Sequence, residues 1–484
     1  MNLADAFVGM ATRWPCRKAV MSQHLNLTYA GLAERAAQSA QELRARGIAP
    51  ETNVGICLRD NAETLVMIVA LWMLQATAVP MDFRTRAAEK RLLAEEFNLA
   101  AILEDRQADA DDYSSILVDP SWPEIIAKNE RSLPWPRQRE AEVAFISLTS
   151  GTTGRPKGIV INHKQMLLRS ICDAERLDGP LLNPLPLSFS ASRTYTFSSL
   201  FQGSGVYFFP LLFSAQQLAD AILDGMANGL CAVPTIVRNL LEVFGEPSTP
   251  AFTGLRALYC LGAPMLPEEK VRAKRFLSNN FIQEYGSSIC GRISALSGSD
   301  LDARPDTVGR VLPHVTLQVV DINENVVRPG DAGVIRLRSP GMAQSIYRGG
   351  QGPSDGFKGG WAYPGDIGAF DDDGFLHLLG RTSDVIIRGG ANVHPSEVER
   401  VISQYEGVVE VAVVGFTKFP EGEEIAAFVV SKRPLTESAL EAHCRARLVP
   451  DKRPRKFILV SDLPRNANGK ILRTELRKRL ENAC

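Results

Sequence analysis

The chain has 484 residues, which is long for a single hydrophobic core and predicts two or more domains. Hydrophobic residues make up 45% of it, and 54 basic against 55 acidic residues leave a net charge of −1. This balance gives no reason to expect nucleic acid or an anionic membrane as a partner. The eight cysteines are scattered without metal-binding spacing, which favours a reduced, cytoplasmic protein.

Strand and helix patterns alternate through most of the chain, starting with a helix after Thr28, its predicted N-cap. The most apolar stretch, 64–80, contains Gln75 and ends in Pro80, so we predict a buried helix running into a strand rather than a membrane span. Residues 184–192 are predicted as a strand that enters an irregular turn. The other predicted strands are 54–58, 77–80, 100–103, 206–210, 230–234, 257–262 and 282–286, and the predicted helices are 62–76, 87–97, 163–177, 215–228, 235–244 and 267–279.

Such alternation is typical of a parallel, helix-covered sheet. From 307 to 380 strands are separated by Pro, Gly and Asp turns, which predicts a β-rich subdomain. Residues 385–484 mix strands and helices and end in a basic tail. The predicted fold class is therefore α/β, with a large N-terminal domain over residues 1–383 and a small C-terminal α+β domain over residues 384–484.

The stretch from Ser147 to Ile161 combines five hydroxyl side chains, three glycines and Lys157 in one loop between two predicted strands. Glycines let backbone N–H groups converge on phosphate oxygens, while hydroxyls add donors and the lysine adds charge. The loop is not a Walker motif, because Pro156 precedes the lysine and Gly158 follows it. A polar surface turn is the alternative reading, and the composition favours a polyphosphate site.

The segment Thr-Ser-Gly-Thr-Thr-Gly-Arg-Pro-Lys-Gly closely resembles the phosphate loop of the adenylate-forming superfamily. That superfamily includes acyl-CoA and aryl-CoA ligases, the adenylation domains of nonribosomal peptide synthetases, and luciferases. The resemblance implies that the following residues bind ATP or AMP: Thr149, Ser150, Gly151, Thr152, Thr153, Gly154 and Lys157.

A second segment, 283–289, resembles the family motif Tyr-Gly-x-Thr-Glu at the end of a predicted strand. In the family the aromatic residue stacks near adenine, the hydroxyl touches the α-phosphate and the glutamate holds Mg²⁺. Tyr285, Gly286 and Ser288 match this motif, but Ile289 stands in place of the glutamate. The resemblance therefore implies a weaker magnesium site, with Thr152 as its remaining candidate ligand.

Asp366 follows a Tyr-Pro-Gly turn and resembles the carboxylate that binds both ribose hydroxyls in the family. The resemblance further implies a second ribose contact at Arg381 and an interdomain hinge at Asp384. Gly389 and Gly390 would line the tunnel through which the thiol reaches the acyl group, although alone they suggest a hairpin turn.

Lys470, in Pro-Arg-Asn-Ala-Asn-Gly-Lys-Ile-Leu-Arg, resembles the C-terminal catalytic lysine of the family. A lysine after Asn-Gly is usually a solvated turn residue, but the upstream motifs occur in the same order as in the family. We expect Lys470 to offset charge in the pentavalent transition state, together with Ser288.

The acid substrate is expected to carry no α-amino group. Peptide synthetase domains have an aspartate where this chain has Ser190, and a serine cannot pair with an ammonium group. The predicted pocket mixes apolar and small residues, as an acid-binding pocket would. Its candidates are Phe189, Ser192, Arg193, Tyr195, Val233, Pro234, Gly262, Ala263 and Pro264, of which Arg193 would face a second carboxylate or solvent.

Taken together, the motifs predict an ATP-dependent acid–thiol ligase that forms an acyl-AMP, releases pyrophosphate and then makes the CoA thioester. ATP, Mg²⁺ and coenzyme A are the expected cofactor and substrates, and the acid is expected to be aromatic or short-to-medium aliphatic. One alternative is a stand-alone adenylation enzyme that loads a carrier-protein phosphopantetheine. Another is a non-catalytic nucleotide-binding protein, for which Ile289 is the support.

Overall fold

The computed structural model describes residues 2–106, 113–131, 142–149, 157–172, 177, 179–347, 356–388, 391–418, 422–465 and 471–481. Contacts divide the chain into two compact units. Unit 1 comprises Met1–Thr316 and Leu337–Ala362, and unit 2 comprises Leu317–Arg336 and Tyr363–Cys484. The prediction of a domain boundary and hinge at residue 384 stays a prediction.

Unit 1 contains the α/β part of the chain. Its helices are α1 Leu3–Arg13, α2 Tyr29–Ala45, α3 Asn61–Met73, α4 Ala87–Glu96, α5 Trp122–Ile126, α6 His163–Ile171, α7 Ser190–Phe201, α8 Ala215–Leu223, α9 Pro234–Phe244, α10 Pro267–Arg272, continued by a π-helical turn Ala273–Leu277, and α11 Gly298–Ala303. The strands up to residue 316 are β1 Lys18–Met21, β2 Asn26–Thr28, β3 Asn53–Cys57, β4 Thr77–Pro80, β5 Leu99–Glu104, β6 Ser115–Leu117, β7 Val143–Thr149, β8 Lys157–Asn162, β9 Leu181–Asn183, β10 Val206–Phe208, β11 Gly229–Ala232, β12 Ala257–Cys260, β13 Phe281–Ser287, β14 Gly291–Ser297 and β15 Arg310–Val311.

The later part of the chain is richer in β-structure. Its strands are β16 Thr316–Val320, β17 Gly333–Arg338, β18 Ser345–Ile346, β19 Phe357–Lys358, β20 Trp361–Ala362, β21 Asp366–Phe370, β22 Leu376–Arg381, β23 Ile386–Arg388, β24 Ala391–Val393, β25 Val408–Lys418, β26 Gly422–Ser431 and β27 Lys456–Val460. Its helices are α12 Pro395–Ser403, α13 Glu437–Arg447 and α14 Arg473–Glu481, with 3₁₀ turns at Thr382–Asp384 and Pro450–Lys452.

Two sheets organise unit 1 in the described part of the chain. One has the order β15-β14-β13-β12-β11-β9-β10-β1-β2, and the other has the order β18-β8-β7-β4-β3-β5-β6. In the first sheet β9, β10, β11, β12 and β13 pair in parallel, so their carboxyl ends meet at one edge. Ligands of open α/β sheets bind outside this edge.

Side-chain alternation explains why helices cover both faces of the first sheet. Leu230 and Ala232 of β11 join one core cluster, with α8 and α9, whereas Cys231 joins another, which contains Tyr195 of α7. A strand buried on both faces reads as a continuous apolar run, which is the signal that the sequence shows here. The second sheet shares a large core with α1, α2 and α3, in which every residue of α3 except Glu63 is buried. No helix among the described residues is long and apolar enough to cross a membrane.

Unit 2 combines a β-rich segment with an α+β segment. Strand β17 pairs with β16 and with β21, which continues into a hairpin with β22. Strand β26 lies between β25 and β27, with Val413 of β25 facing a core that contains α12 and α13. Its neighbours Ala412 and Val414 face the opposite core, which contains Leu476 of α14.

The predicted α/β fold class is confirmed, and the helix at Thr28 begins as expected, with the threonine side chain accepting a hydrogen bond from the Gly31 N–H. The prediction for residues 184–192 was wrong. The strand ends at Asn183, and helix α7 already begins at Ser190. Alternating serines in this segment resemble a strand pattern, but packing of the following Thr-Tyr-Thr-Phe run against the sheet selects the helix.

Candidate active site

The predicted phosphate loop joins two paired strands of the second sheet. Strands β7 and β8 form an antiparallel hairpin in which Thr149 lies opposite Lys157. The Thr149 hydroxyl donates to the Lys157 carbonyl at 3.3 Å. The loop residues between them, Ser150, Gly151, Thr152, Thr153 and Gly154, lie outside the described residues. The strand pairing places the two ends of the loop side by side.

Arg193 lies beneath this hairpin and is 1% exposed. Its Nη1 donates to the carbonyls of Leu187 and Ser188 at 2.5 and 2.9 Å, and its Nη2 donates to the Ser147 hydroxyl. The guanidinium carbon lies 4.8 Å from the centre of the Phe145 ring. This corrects the prediction that Arg193 faces the acid or solvent, because its guanidinium is held by the main chain in the interior.

Ser192 also turns inward. It is 0% exposed, and its hydroxyl donates to the Leu185 carbonyl while accepting from the Asn183 amide nitrogen at 2.9 Å. The prediction that Ser192 lines the acid pocket is therefore corrected as well. Because residues 190–201 form a helix rather than a strand, every third or fourth side chain, not every second, shares a face.

Three of the other pocket candidates come together at the carboxyl edge of the first sheet. A Cβ placed on Gly262 would lie 3.2 Å from the Phe189 ring and 3.5 Å from the Val233 side chain. Gly262 has φ +93°, a backbone conformation that L side chains rarely adopt. It follows β12, while Val233 follows β11. Ala263 is half-buried and Pro264 is exposed in the turn that continues from Gly262.

Tyr285 and Gly286 lie at the end of β13, on the same edge. Tyr285 is 8% exposed. A Cβ on Gly286 would lie 2.6 Å from the Gly291 carbonyl oxygen of β14, so the hairpin of β13 and β14 requires glycine at this position. Ser288 and Ile289 follow in the half-buried turn between the two strands.

Arg169 of α6 holds this turn from below. Its Nη1 donates to the Ser288 carbonyl at 3.0 Å, its Nη2 to the Ile289 carbonyl at 2.5 Å and its Nε to the Gly341 carbonyl at 2.6 Å. It is 8% exposed. Sequence reasoning missed Arg169, because an arginine in an amphipathic helix normally reads as a solvated residue. We call the region around Ser147, Thr149, Ser288 and Ile289 the phosphate end of unit 1.

A charged pair that sequence reasoning also missed, Glu284 with Arg292, lies beside the pocket candidate Tyr195 in the layer between α7 and the first sheet. Glu284 of β13 accepts hydrogen bonds from the Tyr195 hydroxyl and from Nη2 of Arg292. The rings of Tyr195 and Tyr259 lie 4.7 Å apart in the core that also contains Val233 and contacts Phe189. Burial raises the pKa of the Tyr195 hydroxyl well above its usual value. The sequence signal that could have revealed this cluster is the position of Glu284, which comes immediately before Tyr285 of the family motif.

Unit 2 brings Asp366 and Arg381 together. They lie opposite each other on β21 and β22, and Nε of Arg381 donates to the Asp366 carboxylate at 2.8 Å. Nη2 of Arg381 donates to the Pro364 carbonyl at 2.6 Å, which fixes the turn before Asp366. Two residues predicted to contact the ribose are thus adjacent in one ladder.

Asp384 ends a 3₁₀ turn and faces Arg473 of α14, with 4.0 Å between its carboxylate and Nη1. Arg473 also donates to Glu399 at 2.5 Å and to the Val413 carbonyl at 3.4 Å. Gly389, Gly390 and Lys470 lie outside the described residues. Their flanking segments pair, with Arg388 opposite Ala391 and Arg465 bridged to Ile471.

Among the described residues, the position of the family's magnesium-binding glutamate offers no oxygen ligand. No group of three or more His, Cys, Asp or Glu side chains among them is placed to bind a metal. The family position for the metal-binding glutamate carries Ile289, whose side chain packs against the apolar core. An alkyl side chain offers no oxygen ligand, and Mg²⁺ requires oxygen.

The paired strands that flank the hydroxyl- and glycine-rich segment, Tyr285 at the carboxyl edge of a parallel sheet, and Phe189 and Val233 close to Gly262 are the arrangement expected of a nucleotide-dependent acid-activating enzyme. The sequence profile described as AMP-binding enzyme matches residues 8–347, and that described as AMP-binding enzyme C-terminal domain matches residues 397–470. The chain therefore belongs to the AMP-binding enzyme family.

Relatives with known names agree with this assignment. The chain is 30% identical over 478 residues to a long-chain-fatty-acid–CoA ligase of Mycobacterium tuberculosis, covering 94% of each chain. It is 26% identical over 477 residues to a 2-succinylbenzoate–CoA ligase of Bacillus mycoides, covering 96% of each. Its fold matches ATP-bound MatB from Rhodopseudomonas palustris with a TM-score of 0.90 and 25% identity over 100% of both chains.

The protein is thus an ATP-dependent acid–CoA ligase, and the prediction of its enzyme class is confirmed. Its substrates are ATP, a carboxylic acid and CoA. The names of these relatives lend no support to a carrier protein as the thiol acceptor.

Proposed function

We propose that the acid is a non-amino carboxylic acid, aromatic or short-to-medium aliphatic, bound between Phe189, Val233 and Gly262. The observation that carries this proposal is the contact of Phe189 with the Gly262 turn, which limits the depth of the pocket. Below it, the Glu284 cluster and the Tyr195–Tyr259 ring pair fill the layer between α7 and the sheet. A long chain would have to displace a buried ion pair, which is costly.

The carboxylate of the acid has a suitable electrostatic partner at the start of α7. Phe189 is the N-cap of this helix and makes no side-chain capping hydrogen bond. The positive end of the helix dipole and its first N–H groups therefore face the edge where Phe189 meets Gly262. Ser190, the first helical residue, offers no carboxylate for an α-ammonium group.

The motif residues are assigned to the steps of the reaction as follows. The acid carboxylate attacks the α-phosphorus of ATP, the bond to the β,γ-diphosphate breaks, and pyrophosphate leaves. Ser288 binds an α-phosphate oxygen, and Lys470 offsets the negative charge that develops on it. The loop residues 149–157 bind the departing phosphates, and Asp366 and Arg381 bind the ribose. Magnesium enters with ATP, ligated mainly by phosphate oxygens and water, with Thr152 as a candidate ligand.

The CoA thiol then attacks the acyl carbonyl and displaces AMP. Gly389 and Gly390 line its path, and rotation about Asp384 exchanges Lys470 for these glycines. A carrier protein with a phosphopantetheine arm remains the competing acceptor, and a thiolation assay that compares it with CoA separates the two. The eight cysteines are scattered without metal-binding spacing, which favours a cytoplasmic location.

A panel of carboxylic acids in a pyrophosphate-release assay tests the proposal. We expect benzoate-type or C4–C10 acids to have the highest kcat/KM, and Phe189→Ala to shift the preference towards longer acids. Phe213→Ala, which removes a phenylalanine that packs in the separate core beside α8, is the matched control and leaves the preference unchanged. An α-amino acid as best substrate would refute the acid class, and ATP binding without pyrophosphate release from any acid would favour the non-catalytic reading.

A further inference from the structure

A buried ion pair lies in the same layer of unit 1 as the acid pocket. The side chains of Glu284 and Arg292 are 3% and 15% exposed, and Nη2 of Arg292 donates to one oxygen of the Glu284 carboxylate. The Tyr195 hydroxyl donates to the other oxygen. Burying an ion pair costs free energy, and apolar side chains in its place are often as stable or more stable. Packing alone therefore gives no reason for charged residues at this position.

The register of the strands places this pair close to the Gly262 turn. Cys260 of β12 lies opposite Gln283 of β13, so Glu284 lies one strand across from the residue before Gly262. Adjacent strands are about 4.8 Å apart, and each residue advances the chain by about 3.3 Å. The main chain at Glu284 is therefore within about 8 Å of the Gly262 turn.

Helix α7 connects the two ends of the pocket. Phe189 is the N-cap of this helix, and Tyr195 lies six residues further along, which is about 9 Å at 1.5 Å per residue. Tyr195 and Val233 belong to one apolar core, against which Phe189 packs. The guanidinium carbon of Arg292 lies 5.6 Å from the centre of the Tyr195 ring. A single substituted aromatic ring, or a short chain, reaches from the start of α7 to this charged pair.

The chemistry of the pair favours a ligand group that donates a hydrogen bond and carries no charge. A carboxylate only accepts hydrogen bonds, at about four lone-pair sites, so Glu284 can accept from a ligand in addition to Tyr195 and Arg292. The pair is neutral as a whole, so a hydroxyl group meets no like charge there. A second carboxylate would be repelled by Glu284, and an ammonium group by Arg292.

We propose that the acid carries a hydroxyl group at the end remote from its carboxylate, and that Glu284 recognises this hydroxyl. Glu284 is then a specificity-determining residue, while Tyr195 and Arg292 are positioning residues that fix the orientation of its carboxylate. This inference rests on the proposed acid pocket at Phe189. It narrows the substrate class to hydroxybenzoate-type and short ω-hydroxy acids.

The test measures pyrophosphate release with matched acids that differ only in this group. The meta- and para-hydroxybenzoates are compared with benzoate and para-methylbenzoate, and a short ω-hydroxy acid is compared with its parent acid. We expect the best hydroxylated acid to exceed its parent in kcat/KM by about 10- to 100-fold, the range for a hydrogen bond to a charged group. Because the hydroxyl is remote from the reacting carboxylate, the gain should appear in KM rather than in kcat.

Two variants assign the preference to the charged pair. Glu284→Gln should lower kcat/KM for the hydroxylated acid about ten-fold more than that for its parent, because an amide oxygen is a weaker acceptor than a carboxylate. Glu284→Leu combined with Arg292→Met removes both charges together, which a folded protein tolerates better than the loss of one partner. This double variant should prefer para-methylbenzoate over para-hydroxybenzoate.

The matched control breaks another glutamate–arginine pair of unit 1. Glu269 of α10 pairs with Arg238 of α9 at 2.6 Å. Glu269→Gln is the same chemical change as Glu284→Gln, and it should leave the ratio of kcat/KM values between hydroxylated and parent acids unchanged.

Equal kcat/KM values for the hydroxylated acids and their parents in the wild-type protein would overturn the proposal. So would terephthalate as the best substrate, since that result would assign recognition of a second carboxylate to Arg292. Equal losses for both kinds of acid in the Glu284 variants would indicate a packing role. Failure of the proposed acid class would look different, because the parent acids would then release no pyrophosphate either, and this inference would fall with it.

Discussion

Arginines at the phosphate end of unit 1 and arginines in unit 2 donate to different kinds of acceptor. Arg169 and Arg193 donate to main-chain carbonyls and a serine hydroxyl. In unit 2, Arg381 pairs with Asp366, Arg473 with Glu399, and Arg388 with Glu424. A side chain held by carbonyl oxygens fixes the course of the main chain, whereas an ion pair joins two side chains and is weakened when either partner loses its charge.

The Glu284–Arg292 pair shows that unit 1 does not lack carboxylates in general. This pair lies in the layer between α7 and the first sheet. Arg169 and Arg193 instead hold the segments that contain Ser288 and Ser147. Unit 2, by contrast, is expected to act by changing position rather than by changing charge.

The largest expected effect concerns that positional role of unit 2. Lys470→Ala should slow acyl-AMP formation about 10²–10³-fold, because it removes a charge that acts in the transition state, while sparing thiolation of pre-formed acyl-AMP. Gly390→Leu should do the reverse by obstructing the thiol. Each half-reaction is measured separately, and Asp384→Pro, which locks the hinge, should favour one half over the other. If Lys470→Ala and Gly390→Leu each slowed both half-reactions by the same factor, the proposal that Lys470 and the glycines act in different half-reactions would be wrong.

A third buried cation of unit 1 provides a test through pH. Lys270 is 4% exposed and donates to the Thr307 carbonyl at 2.7 Å, and burial lowers its pKa from 10.5 to about 8. Between these values the unfolded chain binds the proton more tightly, so the free energy of unfolding should rise with pH. Relative to Lys270→Met, we expect a rise of about 3 kcal/mol from pH 8 to pH 10.5, measured by urea unfolding. A parallel pH dependence of the two proteins would show that the buried lysine is not destabilising.

The paired carboxylate of unit 2 should matter for nucleotide choice. Asp366→Asn should raise the KM for ATP about 10- to 100-fold, because hydrogen bonds to a charged group contribute roughly 1.5–3 kcal/mol. It should also abolish the preference for ATP over 2′-deoxy-ATP. Arg381→Lys, which keeps a positive charge next to Asp366, serves as the comparison. If Asp366→Asn kept full discrimination of the 2′-hydroxyl, Asp366 would have only the structural role seen in its pairing with Arg381.

The smallest expected effect measures one ion pair directly. A double-mutant cycle with Arg473→Met and Glu399→Gln should give a coupling energy of about 1 kcal/mol in chemical unfolding. Both side chains are roughly a fifth exposed, which limits the strength of the pair. A coupling energy near zero would mean that Arg473 stabilises the fold through its contacts with the Val413 carbonyl and Asp384 rather than through Glu399.

Much of the fold could be predicted because strands and helices carry local signals. The strand at Thr77–Pro80 and the helix starting at Ala87 were placed correctly, since apolar runs and turn residues mark them. Helix α1 was not predicted, although Asn2 caps it and Asp5 completes a capping box. Helix α7 was missed because its first residues, Ser-Ala-Ser, have no strong preference and its formation depends on packing.

The sequence by itself determined the family, the order of the motifs and the sheet edge that the motif residues follow. These depend on which residue types follow which strand, and the chain order preserves that information. Only the tertiary structure decided which way Ser192 and Arg193 point, that Glu284 pairs with Arg292, and that Arg169 reaches Ser288. These contacts join residues up to about 120 positions apart in the chain. No local pattern encodes them, because burial and partner choice depend on how the sheets and helices pack.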